Sequence, residues 1–132
     1  MIVYLDTSAA FKLLAAEAES EPLAAALTAL DPADVLLSSR LLFTELHCAA
    51  QRRSVWDVTA VNAVLEMITL ADVTREDLDR AATSGWGLRS ADAIHLATAL
   101  RMESEVLAAY DRELCAAGEL AGLRLLRPGA AA

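Results

Sequence analysis

The first eight residues constrain the fold most. Ile2 to Leu5 is a short apolar run of strand formers that stops at Asp6-Thr7-Ser8, residue types that favour helix N-caps. A strand that feeds directly into a helix is half of a parallel β–α unit, and the pattern recurs along the chain. Residues 35–39 and 70–73 read as further strands, and residues 106–110 as a fourth, ending again at an aspartate, Asp111; residues 123–126 close the series. Between them, residues 8–18, 21–30, 41–53, 58–69, 75–83, 91–102 and 111–117 read as helices. Pro22 falls in a first turn, where its missing N–H costs little, and Ser90 is expected to cap the helix that follows it. Strands alternating with helices of this length predict an α/β fold, a parallel sheet of four to five strands with helices on both faces.

With 132 residues, 56% of them hydrophobic, the chain is sized for one domain spanning residues 1–132, and holds a core without disulfides or structural zinc. The alanine-rich tail from Gly129 is expected to fray. Cys48 and Cys115 stand far apart in helical segments and read as reduced thiols of a cytoplasmic protein. The amino terminus has no basic region and no cleavage site, and no apolar stretch approaches the roughly 20 residues of a membrane helix, so no membrane partner is expected. Eleven basic residues face nineteen acidic ones, a net charge of −8. That argues against a simple nucleic-acid-binding module, but leaves open an enzyme acting on a polyanion through bound cations and local arginines.

In an open parallel sheet, ligands bind beyond the carboxyl ends of the strands. Asp6 and Asp111 each close a strand there, and Asp92 sits in the first turn of the helix leading to the fourth strand. Each also has a structural role open to it, capping a helix or meeting its dipole. Glu45 differs. Leu42, Glu45, Leu46 and Ala49 recur at i, i+3, i+4, i+7, which sets a carboxylate inside an apolar stripe where it needs a compensating partner, unless it reaches water at the stripe's edge. Carboxylates gathered in one cleft repel one another unless a cation is present, and an oxygen-only set suits Mg²⁺ or Mn²⁺ and phosphodiester hydrolysis. Zinc is disfavoured, because His47 and His95 lack metal-ligand spacing. His95 lies three residues beyond Asp92 and reads as a packed, hydrogen-bonded histidine, with positioning of a carboxylate or of substrate as the alternative. Thr7 and Ser8 are expected to cap the first helix, with a role in the site in addition. Arg40, Arg52, Arg53, Arg89 and Arg112 are candidates for phosphate contacts, against ordinary surface or ion-pairing roles.

Four stretches together resemble the PIN-domain family, and within it the VapC-type ribonuclease toxins of toxin–antitoxin pairs. They are residues 3–9 (VYLDTSA), 39–45 (SRLLFTE), 89–99 (RSADAIHLATA) and 110–114 (YDREL), in the family's order and spanning residues 2 to 128 or so. The resemblance implies a Mg²⁺-dependent endoribonuclease, with Mn²⁺ as substitute, whose acidic quartet is Asp6, Glu45, Asp92 and Asp111. Asp6 and Asp92 are then the direct metal ligands, Asp111 completes or tunes the site, and Glu45 orients or deprotonates the attacking water. It further implies a homodimer held inactive by a cognate VapB-type antitoxin whose tail enters the acidic groove. In one departure, Ala109 stands where the family commonly has a threonine two residues before the last aspartate. That departure and the net charge favour the alternative of a PIN-like scaffold that binds an antitoxin or RNA without cutting. An aspartate-based phosphatase is disfavoured, because Ser8 stands where such enzymes carry a second aspartate.

Overall fold

The computed structural model describes residues 1–130. Among these, five strands and seven helices follow in the order β1 (Ile2–Leu5), α1 (Thr7–Leu14), α2 (Ser20–Thr28), β2 (Val35–Ser39), α3 (Leu41–Arg52), α4 (Val58–Glu66), β3 (Thr69–Ala71), α5 (Arg75–Thr83), α6 (Ser90–Arg101), β4 (Val106–Ala108), α7 (Arg112–Leu120) and β5 (Arg124–Leu126). The strands form one sheet in the order β3-β2-β1-β4-β5, and every neighbouring pair is parallel. The chain builds outward from β1 to β3, then returns to lay β4 on the other side of β1. Strand order therefore reverses between β1 and β4, and a crevice opens there at the carboxyl edge of the sheet.

Period-two alternation along β1 serves two cores. Val3 and Leu5 pack with Phe11, Leu23, Leu42 and Val61 from α1 to α4 on one face. Tyr4 joins Leu37 and Leu107 against Leu96 of α6 and Leu114 of α7 on the other. With both faces covered, the central strands β1 and β4 are apolar throughout. Helix α7 lies close over the sheet because Gly118 has no side chain: a Cβ there would stand 2.7 Å from Leu107 Cδ2. Helix α5 is tied to α6 through Asp77, which closes a capping box with Thr74 and accepts from Arg101 Nε at 2.8 Å and Thr98 Oγ1 at 3.0 Å.

Several boundaries differ from the sequence expectation, each for a local reason. Helix α1 ends at Leu14 rather than at residue 18, because the Ser20 hydroxyl donates to the Ala15 carbonyl and accepts from the Glu17 N–H, both at 2.9 Å. Strand β4 ends at Ala108, since the Tyr110 N–H leaves the ladder to donate to Ser8 Oγ at 3.0 Å. Arg89, not Ser90, is the N-cap of α6, and Asp6, not Thr7 or Ser8, caps α1. Helix α7 runs through Gly118 to Leu120. In the carboxyl-terminal tail the Ala130 N–H donates to the Arg127 carbonyl at 3.1 Å; the rest of the segment expected to fray, residues 131–132, lies outside the described residues. Both cysteines are free, and no helix among the described residues is long and apolar enough to cross a membrane.

Candidate active site

Asp6 follows β1 directly and is 2% exposed. Its carboxylate caps α1 by accepting from the Ala9 N–H at 3.0 Å, and it takes the Ser8 hydroxyl at 2.7 and 2.9 Å. Burial pushes the Asp6 carboxyl up, against the pull of Ser8 and the proximity of His95. Ser8 Oγ also receives the Tyr110 N–H, so one hydroxyl ties the end of β1 to the segment after β4. That segment delivers Asp111, the exposed N-cap of α7, whose Oδ1 accepts from the Leu114 N–H at 2.9 Å.

Asp92 sits half-buried in the first turn of α6. Burial, then the charges of Asp111 and Asp6, with Glu45 adding, push its carboxyl up to about 6, and His95 opposes them. The charges of Asp111, Asp6 and Glu45 thus all reach Asp92. Among the described residues, no three Asp, Glu, His or Cys side chains converge as a ready-made metal cage. Magnesium does not require one: it is commonly held by one or two carboxylates with water completing the shell. An all-oxygen donor set, with one carboxyl raised by burial and by its acidic neighbours, fits such a cation.

Glu45, expected to need compensation in its apolar stripe, has it. Oε1 accepts from Thr7 Oγ1 at 2.7 Å and lies 2.6 Å from His95 Nε2. Burial pushes this carboxyl up, but His95 and Thr7 outweigh burial and hold it below its ordinary value. His95 is 1% exposed, and its Nδ1 meets the Tyr4 hydroxyl at 2.7 Å. The sequence reading overlooked Tyr4, which sits in β1 91 residues from its partner and is written there as one more apolar strand residue.

The arginines divide. Arg89 and Arg112 stay exposed at the starts of α6 and α7, beside Asp92 and Asp111. Arg40 stacks on Phe43 at 4.3 Å; Arg53 stacks on Phe11 at 4.8 Å and stands 3.9 Å from Glu17, two turns of α3 beyond Glu45. Ala109 is fully buried and joins the second core, so no side-chain oxygen reaches the cleft from that position.

Comparison with known proteins bears on the fold and the family. The chain is 36% identical to Ribonuclease VapC35 of Mycobacterium tuberculosis (strain ATCC 25618 / H37Rv), over 98% of this chain and 99% of the relative. It is 34% identical to Ribonuclease VapC49 of the same strain, over 94% of each. The fold matches that of M. tuberculosis VapC20, described as a sarcin-ricin loop cleaving toxin, with a TM-score of 0.76 at 19% identity, over 96% of this chain and 99% of that one. It also matches a toxin–antitoxin complex from Klebsiella pneumoniae, with a TM-score of 0.71 at 19% identity, over 96% and 97% of the two chains. The PIN domain family model matches residues 3–120, and on that span this chain belongs to the PIN-domain family.

Proposed function

We propose that this chain is a Mg²⁺-dependent endoribonuclease, the toxin of a toxin–antitoxin pair, with Asp6, Glu45, Asp92 and Asp111 as its catalytic set. The observation that carries the reading is the placement of Asp6 at the end of β1 and Asp92 in the first turn of α6, close enough that Asp6 and Asp111 add to burial in raising the Asp92 carboxyl, at the point where strand order reverses. Whole-length identity to curated ribonucleases supports RNA as the substrate class.

Asp6 and Asp92 would hold the cation. When bound, Mg²⁺ supplies Lewis acidity to the phosphoryl group and offsets the charge that develops on the leaving oxygen. Asp111, fixed by its capping bond, tunes the charge around Asp92. Glu45 is kept ionised by His95 and Thr7, which suits it to accept a hydrogen bond from the attacking water and orient it; as a proton acceptor it is weakened by the same two donors. Arg89 and Arg112 offer guanidinium groups to the RNA backbone on an otherwise acidic molecule. Residues 1–132 act as one nuclease domain, in the cytoplasm and as a homodimer. A VapB-type antitoxin silences the site by placing a cationic side chain among the carboxylates. The fold neighbour from K. pneumoniae, solved as a toxin–antitoxin complex, supports such a partner.

Ala109 favours a second reading, a scaffold that binds antitoxin or RNA without cutting. One experiment separates the two. Purified wild-type chain is expected to cleave RNA on addition of Mg²⁺ or Mn²⁺ and to stop with chelator, while Asp6→Asn keeps its circular dichroism and loses cleavage. Unchanged cleavage by Asp6→Asn refutes the assignment of the site, and no metal-dependent cleavage by the wild type leaves the scaffold reading.

A further inference from the structure

A buried hydrogen-bonded path runs from the middle of the sheet to Glu45. Tyr4 is 0% exposed and His95 1%, yet both keep a polar partner: the Tyr4 hydroxyl lies 2.7 Å from His95 Nδ1, and His95 Nε2 lies 2.6 Å from Glu45 Oε1. Phenylalanine and leucine would fill these two positions without any polar group to satisfy, so packing alone does not explain the pair. Direction does. A carboxylate oxygen has no proton to give, so the proton between His95 and Glu45 belongs to Nε2, and a neutral ring then offers a lone pair at Nδ1. A phenol is protonated at neutral pH, so the Tyr4 hydroxyl, 2.7 Å away, has a proton to donate into that lone pair. Thr7 Oγ1 donates to the same Oε1 at 2.7 Å, and among the described residues Oε2 has no protein donor.

We propose that Tyr4 and His95 are positioning residues of the carboxylate site: the Tyr4 hydroxyl locks the His95 ring in its Nε2–H form, and that N–H pins Glu45 by Oε1, leaving Oε2 free for water or substrate. The inference rests on the nuclease reading for its consequence in cleavage, but not for the tautomer. Neither residue touches substrate; both act through Glu45.

The test is nitrogen-15 NMR of the imidazole rings in the wild-type chain at neutral pH. The chain has two histidines, and the His47→Gln spectrum separates their signals. The expected result is a proton fixed on Nε2 of His95 and a lone-pair signature at Nδ1, becoming a mixture of tautomers in Tyr4→Phe. In cleavage, Tyr4→Phe is expected to lower kcat roughly tenfold with KM unchanged. His95→Gln, which keeps a donor and an acceptor, retains more kcat than His95→Leu, whereas a packing role ranks leucine at least equal. A proton on Nδ1 of wild-type His95, in a neutral or a charged ring, overturns the proposal. So does a Tyr4→Phe variant with unchanged tautomer and kcat while Asp6→Asn is inactive, an outcome that leaves the nuclease reading intact. If the wild type fails to cleave RNA but shows the Nε2–H form, the nuclease reading fails and the geometric part of the proposal stands.

Discussion

Asp92 binds its proton more tightly in the folded chain than in the unfolded one, because burial and the charges of Asp111 and Asp6 move its carboxyl from 3.8 up to about 6. Between those values the folded state keeps a proton that the unfolded state has released, so Asp92 makes stability fall as pH rises from about 4 to 6. Glu45 has the opposite sign: its lowered carboxyl contributes stability above its ordinary value of 4.5, lost as pH falls. Asp92→Asn is therefore expected to stabilise the metal-free chain at pH 7 by roughly 1 kcal/mol, a figure discounted for the screening of a half-exposed group, with the gain gone near pH 4. Urea unfolding at the two pH values measures it, and a destabilised variant at pH 7 contradicts the mutual repulsion. Asp6 was legible as a candidate because it follows an apolar strand and Glu45 because it sits on an apolar stripe, whereas Asp111 was expected to close a strand that ends three residues earlier, at Ala108. The partners of Glu45 were not legible. Thr7 meets Glu45 across 38 residues and His95 meets it across 50, pairings that only the folded sheet creates.

The elements that carry the site are held by bonds of their own. Helix α6 brings Asp92 and His95 to the edge, and its far end is tied to α5 by Asp77, 2% exposed, which accepts from Arg101 Nε and Nη2, Thr98 Oγ1 and the Thr74 N–H. Removing that carboxylate leaves the Thr98 hydroxyl and the Thr74 N–H without their acceptor and takes from the Arg101 guanidinium its ion pair, leaving it the Asp72 carbonyl and solvent. Asp77→Ala is expected to cost about 3 kcal/mol by urea unfolding, against under about 0.5 kcal/mol for Asp79→Ala on the exposed side of the same helix. Equal effects would mean that the tie between α5 and α6 contributes nothing. Helix α5 was readable to the residue, and the capping box between Thr74 and Asp77 accounts for its start. The ends of α1 and β4 were not, because Ser20 and Ser8 capture backbone groups there, and residue-type preference carries no trace of such local competition.

At the scale of the whole molecule, a net charge of −8 repels RNA, so the carboxylate edge has to change sign locally before a polyanion settles on it. Alternating strands and helices made the α/β architecture readable; which edge gathers the acids depends on the strand order β3-β2-β1-β4-β5, which periodicity does not encode. The same charges make the site controllable. An antitoxin peptide carrying arginine or lysine is expected to weaken Mg²⁺ binding in calorimetric competition, and metal affinity indifferent to the peptide would mean that silencing acts by steric blocking alone. The central claim is that Asp6, Glu45, Asp92 and Asp111 form one divalent-cation site, and calorimetric titration of Mn²⁺ into the purified chain tests it most directly. The account predicts saturable binding that is lost in both Asp6→Asn and Asp92→Asn and kept in the surface control Asp79→Asn; binding that survives in the first two variants, or is absent from the wild type, contradicts it.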